Sequence, residues 1–219
     1  LWRSSPIVCD FIKESKEIIS NPQPSIISSI KIGQTQIVVN GVSKEVPVAE
    51  DGNWTKALYS SMELSYPKFY KMDSLAKMAF LSLQLMEKEV ALSEMETSEV
   101  ALIFANSSSS QATDLKFIES YTEKGNPSPS LFVYTLPNIL TGEISIFKKW
   151  YGENIFFINE NFNAEFLIDQ INFYLRKGST ACLCGWVNAI ENKEECFLFY
   201  VSSEKGELNS NELNTLFKQ

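Results

Sequence analysis

The chain's candidates for covalent chemistry are four cysteines, Cys9, Cys182, Cys184 and Cys196, and a run of four serines, Ser107 to Ser110. A thiolate or alkoxide works best at the start of a helix, where unpaired N–H groups and the positive end of the dipole stabilise an anion. One junction of that kind is legible: IFFINENFNAEFLIDQINFYL, Ile155 to Leu175, reads as a short buried strand turning through Asn159, Glu160 and Asn161 directly into a helix. It carries asparagines and a glutamate and no nucleophile. The cysteines lie elsewhere and lack CxxC spacing; Cys182 and Cys184, two apart in an expected strand, share a face and give the one hint of a thiolate pair. Small core residues in a reducing compartment are the simpler reading. The count that limits mechanism most is zero histidine in 219 residues. Without it, no Ser-His-Asp, Cys-His or His-metal mechanism can run on the chain's own side chains. No cofactor is expected: there is no histidine for zinc, and no glycine-rich turn follows a strand to hold a nicotinamide cofactor.

The junction needs a scaffold, and the pattern of apolar residues supplies one. Pro6 to Ser20 has loosely helical spacing and is broken by NPQPS, so residues 1–25 read as an N-terminal helix and linker, with one domain over 26–219. From Ile26, IISSIKIGQTQIVVNGVSKEVPV alternates branched apolar and polar residues as one or two strands of a hairpin or meander. A loop-rich stretch with a short helix follows. Met72 to Lys88 predicts a helix, with Asp73 placed to cap it. SEVALIFAN, Ser98 to Asn106, is too short and too apolar for a surface helix and predicts a strand buried on both faces. The serine loop, a helix from Thr113 to Lys124, an extended LFVYTLP and a helix from Asn138 to Trp150 lead to the junction. STACLCGWVN and EECFLFYVSS then form two strands, and NSNELNTLFKQ a tail helix. Strands alternating with helices predict an α/β fold with a mixed, mostly parallel five-stranded sheet, helices on its faces and an antiparallel pair at the end.

Bulk composition removes several function classes. At 44% hydrophobic and 12% aromatic the chain can bury a sizeable core. A net charge of −8 disfavours nucleic acids and anionic membranes, which need clustered Lys and Arg. No apolar run reaches the roughly 18 to 20 residues of a membrane span, and the first thirty residues lack a signal-peptide layout. A cytoplasmic protein is expected, in which the NWT and NSS sequons at Asn53 and Asn106 are chance matches.

Taken in order, YPKFYKMDSLAKMAFLSLQL, EVALIFANSSSSQATDLKFIESY, SPSLFVYTLPNILTGEISIFKKWYG, the strand-to-helix junction and LRKGSTACLCGWVNA resemble the N-terminal half of a β-ketoacyl-acyl-carrier-protein synthase, a thiolase-like fold. Pro137-Asn138, Thr141-Gly142 and a junction about twenty residues later follow that family's order. The resemblance runs from about Tyr66 to Ser202. More narrowly, the chain is similar to small ketosynthase-N-terminal-like proteins found beside bacterial aryl-polyene and flexirubin-type pigment genes. The resemblance implies a catalytic cysteine at the junction. Counting back from Gly178, which matches the glycine ending that helix, puts its place on or beside Asn161, where an amide is a good helix cap and a poor nucleophile. The family's two histidines belong to a second half that is not among these residues. Positioned acid-base groups contribute about 10² to 10⁴ in rate, so losing thiolate and histidines together implies a non-catalytic relative.

Several expectations follow from the resemblance. The chain pairs with itself or with an active ketosynthase, as a chain-length factor does, in aryl-polyene, fatty-acid or polyketide biosynthesis. Pairing uses the strand Ile155, Phe156, Phe157 and Ile158 across a two-fold axis and hides apolar surface that a half-domain leaves uncovered. Asn161, Phe162, Ser107, Ser108 and Asn138 form the candidate pocket. The serine loop could cradle a phosphopantetheine phosphate, although it lacks the glycines of a phosphate loop and reads more simply as solvated. Lys148, Lys149, Arg176 and Lys177 could meet an acidic acyl carrier protein, against a plain reading as solvated faces. Glu119 and Glu143 have no partner at acid-base spacing and read as surface charges. The alternatives are an acyltransferase or thioesterase-type enzyme acting on acyl-carrier protein through Cys182, Cys184 or a serine of the loop, and a stand-alone acyl-chain binding module.

Overall fold

The structure, a computed structural model, describes residues 23–47, 52–90, 92, 100–190, 193–203 and 206–219. The helix expected over Pro6 to Ser20 lies outside them. Seven strands form one sheet: β1 (Ser25–Gly33), β2 (Gln36–Val39), β3 (Val42–Glu45), β4 (Val100–Asn106), β5 (Asn154–Ile158), β6 (Ala181–Ile190) and β7 (Lys193–Ser202), in the order β3-β2-β1-β7-β6-β4-β5. The helices are α1 (Trp54–Ser61), α2 (Ser74–Glu89), α3 (Gln111–Thr122), α4 (Pro129–Val133), α5 (Ile139–Lys148), α6 (Ala164–Arg176) and α7 (Ser210–Lys218), with a 3-10 turn at Pro67–Lys71.

The α/β expectation holds, with seven strands in place of five. The N-terminal segment expected to give one or two strands gives three, β1 to β3, and Asn40 and Gly41 both take positive φ and close β2 onto β3 with Val39 opposite Val42, the tight turn an Asn-Gly pair favours. Pairing is parallel for β4 with β5 and β6, and antiparallel elsewhere. Following those directions, β1, β3, β4, β5 and β6 run one way and β2 and β7 the other.

Strands β4, β6 and β7, in the middle of the sheet, are buried on both faces, whereas β3 at one edge is exposed at all its residues. Val100, Leu102 and Phe104 of β4 and Cys196, Leu198 and Tyr200 of β7 join one core with α1, α2 and α5. Their alternates Ala101, Ile103, Ala105, Phe197, Phe199 and Val201 join another with α6 and α7. Helix α2 is apolar nearly all round, as its sequence requires, with Met78, Ala79, Leu81, Leu83 and Met86 inaccessible. Its start was legible: Asp73 Oδ1 accepts from Ala76 N at 2.9 Å. Close approach fixes Gly185 in the middle of the sheet. A Cβ on Gly185 would sit 2.5 Å from the Phe104 ring, which lies opposite it in the β4–β6 ladder.

Two expectations are corrected. LFVYTLP is not extended; it contains the end of α4, which Ser128 caps by accepting from Leu131 N and Pro129 opens at the position a helix start tolerates. The sheet face beneath α6 also needs no further layer, because the outward residues of α6 include the exposed Glu165, Asp169 and Arg176. Of the exposed apolar side chains, Phe173 lies on α6 itself, and Leu115, Ile118, Phe132, Leu136, Tyr151 and Ile158 lie elsewhere.

Candidate functional site

Strand β5 ends at Ile158, and Asn159 N donates to Asn106 O at 2.8 Å as the last rung toward β4. The chain then turns through Glu160, Asn161 and Phe162. Helix α6 starts two residues later than the junction suggested. Its cap is Asn163, whose Oδ1 accepts from Phe166 N at 3.0 Å, and Asn161 is exposed before the helix begins. The capping role expected of Asn161 therefore belongs to Asn163.

Phe162 faces inward. Its ring stacks on Phe217 of α7 at 4.0 Å and 13°, and meets Phe197 and Trp186 edge-on at 5.7 and 6.1 Å. Lys31 of β1 holds the other side of α7, with Nζ donating to the Phe217 carbonyl and lying 5.0 Å over its ring. A cleft of about 500 Å³ remains between the turn, α7 and the ends of β6 and β7, lined in part by Ser107, Asn161, Phe162, Trp186, Asn188 and Phe217. Of the five expected pocket residues, Ser107, Asn161 and Phe162 meet here. Ser108 does not line the cleft, and Asn138 is an exposed residue at the start of α5.

The serine loop is bound up in its own protein contacts. Asn188 Oδ1 accepts from Ser107 N and Oγ, both at 3.1 Å. Asn106, fully buried, accepts from Ser109 N with Oδ1 and donates from Nδ2 to Ser109 O, each at 2.8 Å, holding Ser109 at φ 52. Ser110 Oγ lies 2.5 Å from the Thr135 carbonyl and 3.2 Å from the Asp114 carboxylate. With two N–H groups used internally and a carboxylate beside the fourth serine, the loop makes a poor phosphate cradle.

The cysteines are equally unsuited to attack. Cys182 and Cys184 share a face as expected, but within the α6 core; Cys196 lies on the opposite face and accepts from Ser82 Oγ at 3.2 Å. Burial pushes the Cys182 and Cys196 thiols up to about 12, and that of Cys184 well above the usual thiol range. A thiolate nucleophile is disfavoured at all three.

The charged candidates divide. Lys148 leaves the expected basic patch: its side chain is 8% exposed, paired with Glu87 and 5.2 Å over the Trp150 ring. Lys149, Arg176 and Lys177 are exposed, and Lys177 lines a polar groove with Glu153 at the starting ends of β5 and β6, opposite the end that carries Asn161. Glu119 is the surface charge expected, 3.0 Å from Lys124. Glu143 is not. It is buried, accepts from Tyr134 OH at 2.9 Å and meets Lys68 as an ion pair at 2.7 Å, while burial and this carboxylate raise the Tyr134 hydroxyl well above its usual range. Sequence spacing missed it because Lys68 arrives from the 3-10 turn.

Trp186, Asn188 and Phe217 were also missed as site residues. Asn188 left one signal, a polar residue inside the apolar strand STACLCGWVNA.

No family model and no curated protein matches the chain. Solved structures do. A chain of the ketosynthase ApeO in complex with its chain length factor ApeC from Xenorhabdus doucetiae superposes with a TM-score of 0.58 at 10% identity, covering 90% of this chain and 90% of that one. The fold is ketosynthase-like. A chain of the AntDE:AntF complex, a type II PKS acyl-carrier protein with its ketosynthase bound to the hexaketide, matches this ketosynthase-like fold with a TM-score of 0.61 at 11% identity, over 90% of this chain and 65% of that one. The ishigamide ketosynthase/chain length factor matches with a TM-score of 0.53 at 13% identity, over 82% and 62%. The thiolase-like architecture expected from the ordered motifs is therefore present. Set in this fold, the junction between β5 and α6 offers Asn161 and Phe162, and its inward side is filled by the Phe162–Phe217 stack.

Proposed function

We propose that this chain is a non-catalytic, ketosynthase-like accessory subunit that pairs through β5, with a second copy or with an active ketosynthase in the manner of a chain-length factor, in bacterial aryl-polyene, fatty-acid or polyketide biosynthesis. The observation that carries the reading is the junction itself: the fold keeps strand, turn and helix, yet the turn holds no nucleophile and the sequence no histidine. The likeness to a chain from a ketosynthase/chain length factor complex, matched over 90% of that chain's own length, supports an accessory role.

Pairing is supported by the edge of the sheet. Strand β5 is last in the order and, among the described residues, bonds only to β4. Leu102 N donates to Glu153 O, and Asn159 N to Asn106 O, so the odd-numbered residues of this stretch face β4. The N–H and C=O groups of Asn154, Phe156 and Ile158 therefore face the open edge, a template for a further strand. Acyl carrier protein is a second partner on this reading, met through Lys149, Arg176 and Lys177. Among the described residues, no helix is long and apolar enough to cross a membrane.

The test is affinity capture of the tagged chain from the co-expressed products of its native operon. Stoichiometric recovery of the ketosynthase, or a homodimer when the chain is expressed alone, is the expected result. A chain that is monomeric alone and recovers no ketosynthase contradicts the proposal.

A further inference from the structure

We infer that the cleft between the start of α2, α3 and the adjoining ends of β6 and β7 binds a small monocarboxylate, with its head held by Lys116 and Lys77 and a short apolar body against Leu115 and Ile190. The cleft measures about 490 Å³, within the range of small-molecule sites, and is lined in part by Ser74, Leu115, Lys116, Ala189 and Ile190. It lies away from the junction. Ala189 belongs to the α2 core, whereas Asn188, one residue earlier in the pleat, lines the cleft beside Asn161. The apolar wall is open to a ligand: Leu115 is 60% exposed and Ile190 half-buried.

Positive charge without a partner marks the place of the head. Lys116 is exposed, Lys77 is half-buried one turn on from Ser74, and among the described residues neither makes an ion pair. Lys77 Nζ lies 5.8 Å over the Phe69 ring. Burial lowers the Lys77 pKa and Lys116 lowers it further, while Asp73 and Glu194 offset only part of this. An anion set between the two ammonium groups removes that penalty. The nearby carboxylates are engaged elsewhere: Asp73 accepts from Ala76 N at 2.9 Å and from Thr113 Oγ1 at 3.2 Å, Glu194 accepts from Trp54 Nε1 at 2.6 Å, and Glu119 pairs with Lys124 at 3.0 Å. Asp73 already caps α2, so the lysines and not the helix start supply the positive field. With three carboxylates around the cleft, a single negative charge is the most it accepts, which selects a carboxylate over a phosphate dianion. The site goes beyond the pairing reading and does not depend on it, since no residue of β5 lines the cleft.

The probe is phenylacetate, titrated into the full chain at neutral pH beside phenylacetamide, which has the same shape without the charge. Calorimetry gives the affinities, and the side-chain ¹³C–¹H spectrum follows the Hε groups of Lys77 and Lys116. Saturating phenylacetate is expected to shift both Hε signals and to raise the pH at which Lys77 titrates, and phenylacetamide to bind about tenfold more weakly. Lys77→Met and Lys116→Met keep an apolar stem and remove the charge, so each should weaken phenylacetate binding about tenfold, the loss of one charged hydrogen bond. Absence of binding up to the solubility of the probe, unshifted lysine signals at saturation, or equal affinity for the amide overturns the assignment. Unchanged affinity in folded Lys77→Met and Lys116→Met proteins does so too. Oligomeric state is read by sedimentation in the same samples: a chain that pairs and binds no phenylacetate contradicts this site alone, and a monomer that binds it contradicts the pairing alone.

Discussion

Proline at Ile158 separates the paired chain from the free one. Ile158 closes β5 with 53% of its surface exposed, and its N–H faces the open edge. Proline is tolerated in edge strands where the lost N–H faces solvent, so the isolated chain should keep its fold and its melting temperature. A two-fold axis at Phe156 would set Asn154 against Ile158 of a second copy, and each substitution would then appear twice in the ladder. Two lost backbone bonds at about 0.5 to 1.5 kcal/mol each cost about 1 to 3 kcal/mol, which weakens a homodimer about 5- to 140-fold. In a pair with a different subunit the substitution appears once and costs about 2- to 12-fold. Ile158 is a cleaner choice than its neighbours, because Phe156 packs into the α2 core and Phe157 meets Phe166 edge-on at 4.8 Å, so aspartate at either would damage the layers as well as the edge. Sedimentation velocity across a concentration series measures the effect. If the unmodified chain associates and Ile158→Pro associates equally well with an unchanged melting temperature, pairing does not use β5.

Asn161→Cys should show no chain extension when the purified protein is given acyl- and malonyl-carrier protein, because the chain supplies no histidine; measurable condensed product would show that the junction retains catalytic capacity. The Cys182 and Cys196 thiols, raised from 9.0 to about 12 by burial, stay protonated in the folded chain while the unfolded chain releases its protons. Their contribution to stability is complete below pH 9 and is lost as pH rises toward 12, by about 1.4 kcal/mol per pH unit for each thiol, so denaturant midpoints should fall steeply above pH 9; a flat profile would mean that these thiols are accessible. Gly185→Ala places a methyl 2.5 and 2.7 Å from the inaccessible Phe104 ring and 3.2 Å from Leu198, and should destabilise by about 1 to 3 kcal/mol in urea titration, whereas an unchanged midpoint would show that the ring can move aside.

What the sequence made legible were the features set by local physics. Helix α2 announced itself through apolar residues at three and four apart and the Asp73 cap, and β4 through an unbroken apolar run, because both elements bury side chains on nearly every side. Segment LFVYTLP misled because Phe, Val, Tyr and Thr favour strands, while Ser128-Pro129 starts a short helix whose shape is then fixed by packing. The candidate site was half legible. Its turn could be located from the β5-to-α6 pattern, but the residues that finish it come from the end of β6 and from the tail helix, and Phe162 meets Phe217 only once α7 has folded back. Glu143 was misread for the same reason: its partners Tyr134 and Lys68 are brought to it by tertiary packing, which no helical spacing encodes.

Where an acyl group goes decides between a catalytic and a non-catalytic subunit. The chain, co-purified with the ketosynthase it captures and exposed to acyl-loaded carrier protein, can be weighed subunit by subunit in the mass spectrometer. A complex of the two proteins with the acyl mass on the ketosynthase alone is the expected result. An acyl mass on this chain that disappears on substitution of Cys182, Cys184 or a serine of the Ser107 to Ser110 loop would contradict the non-catalytic role.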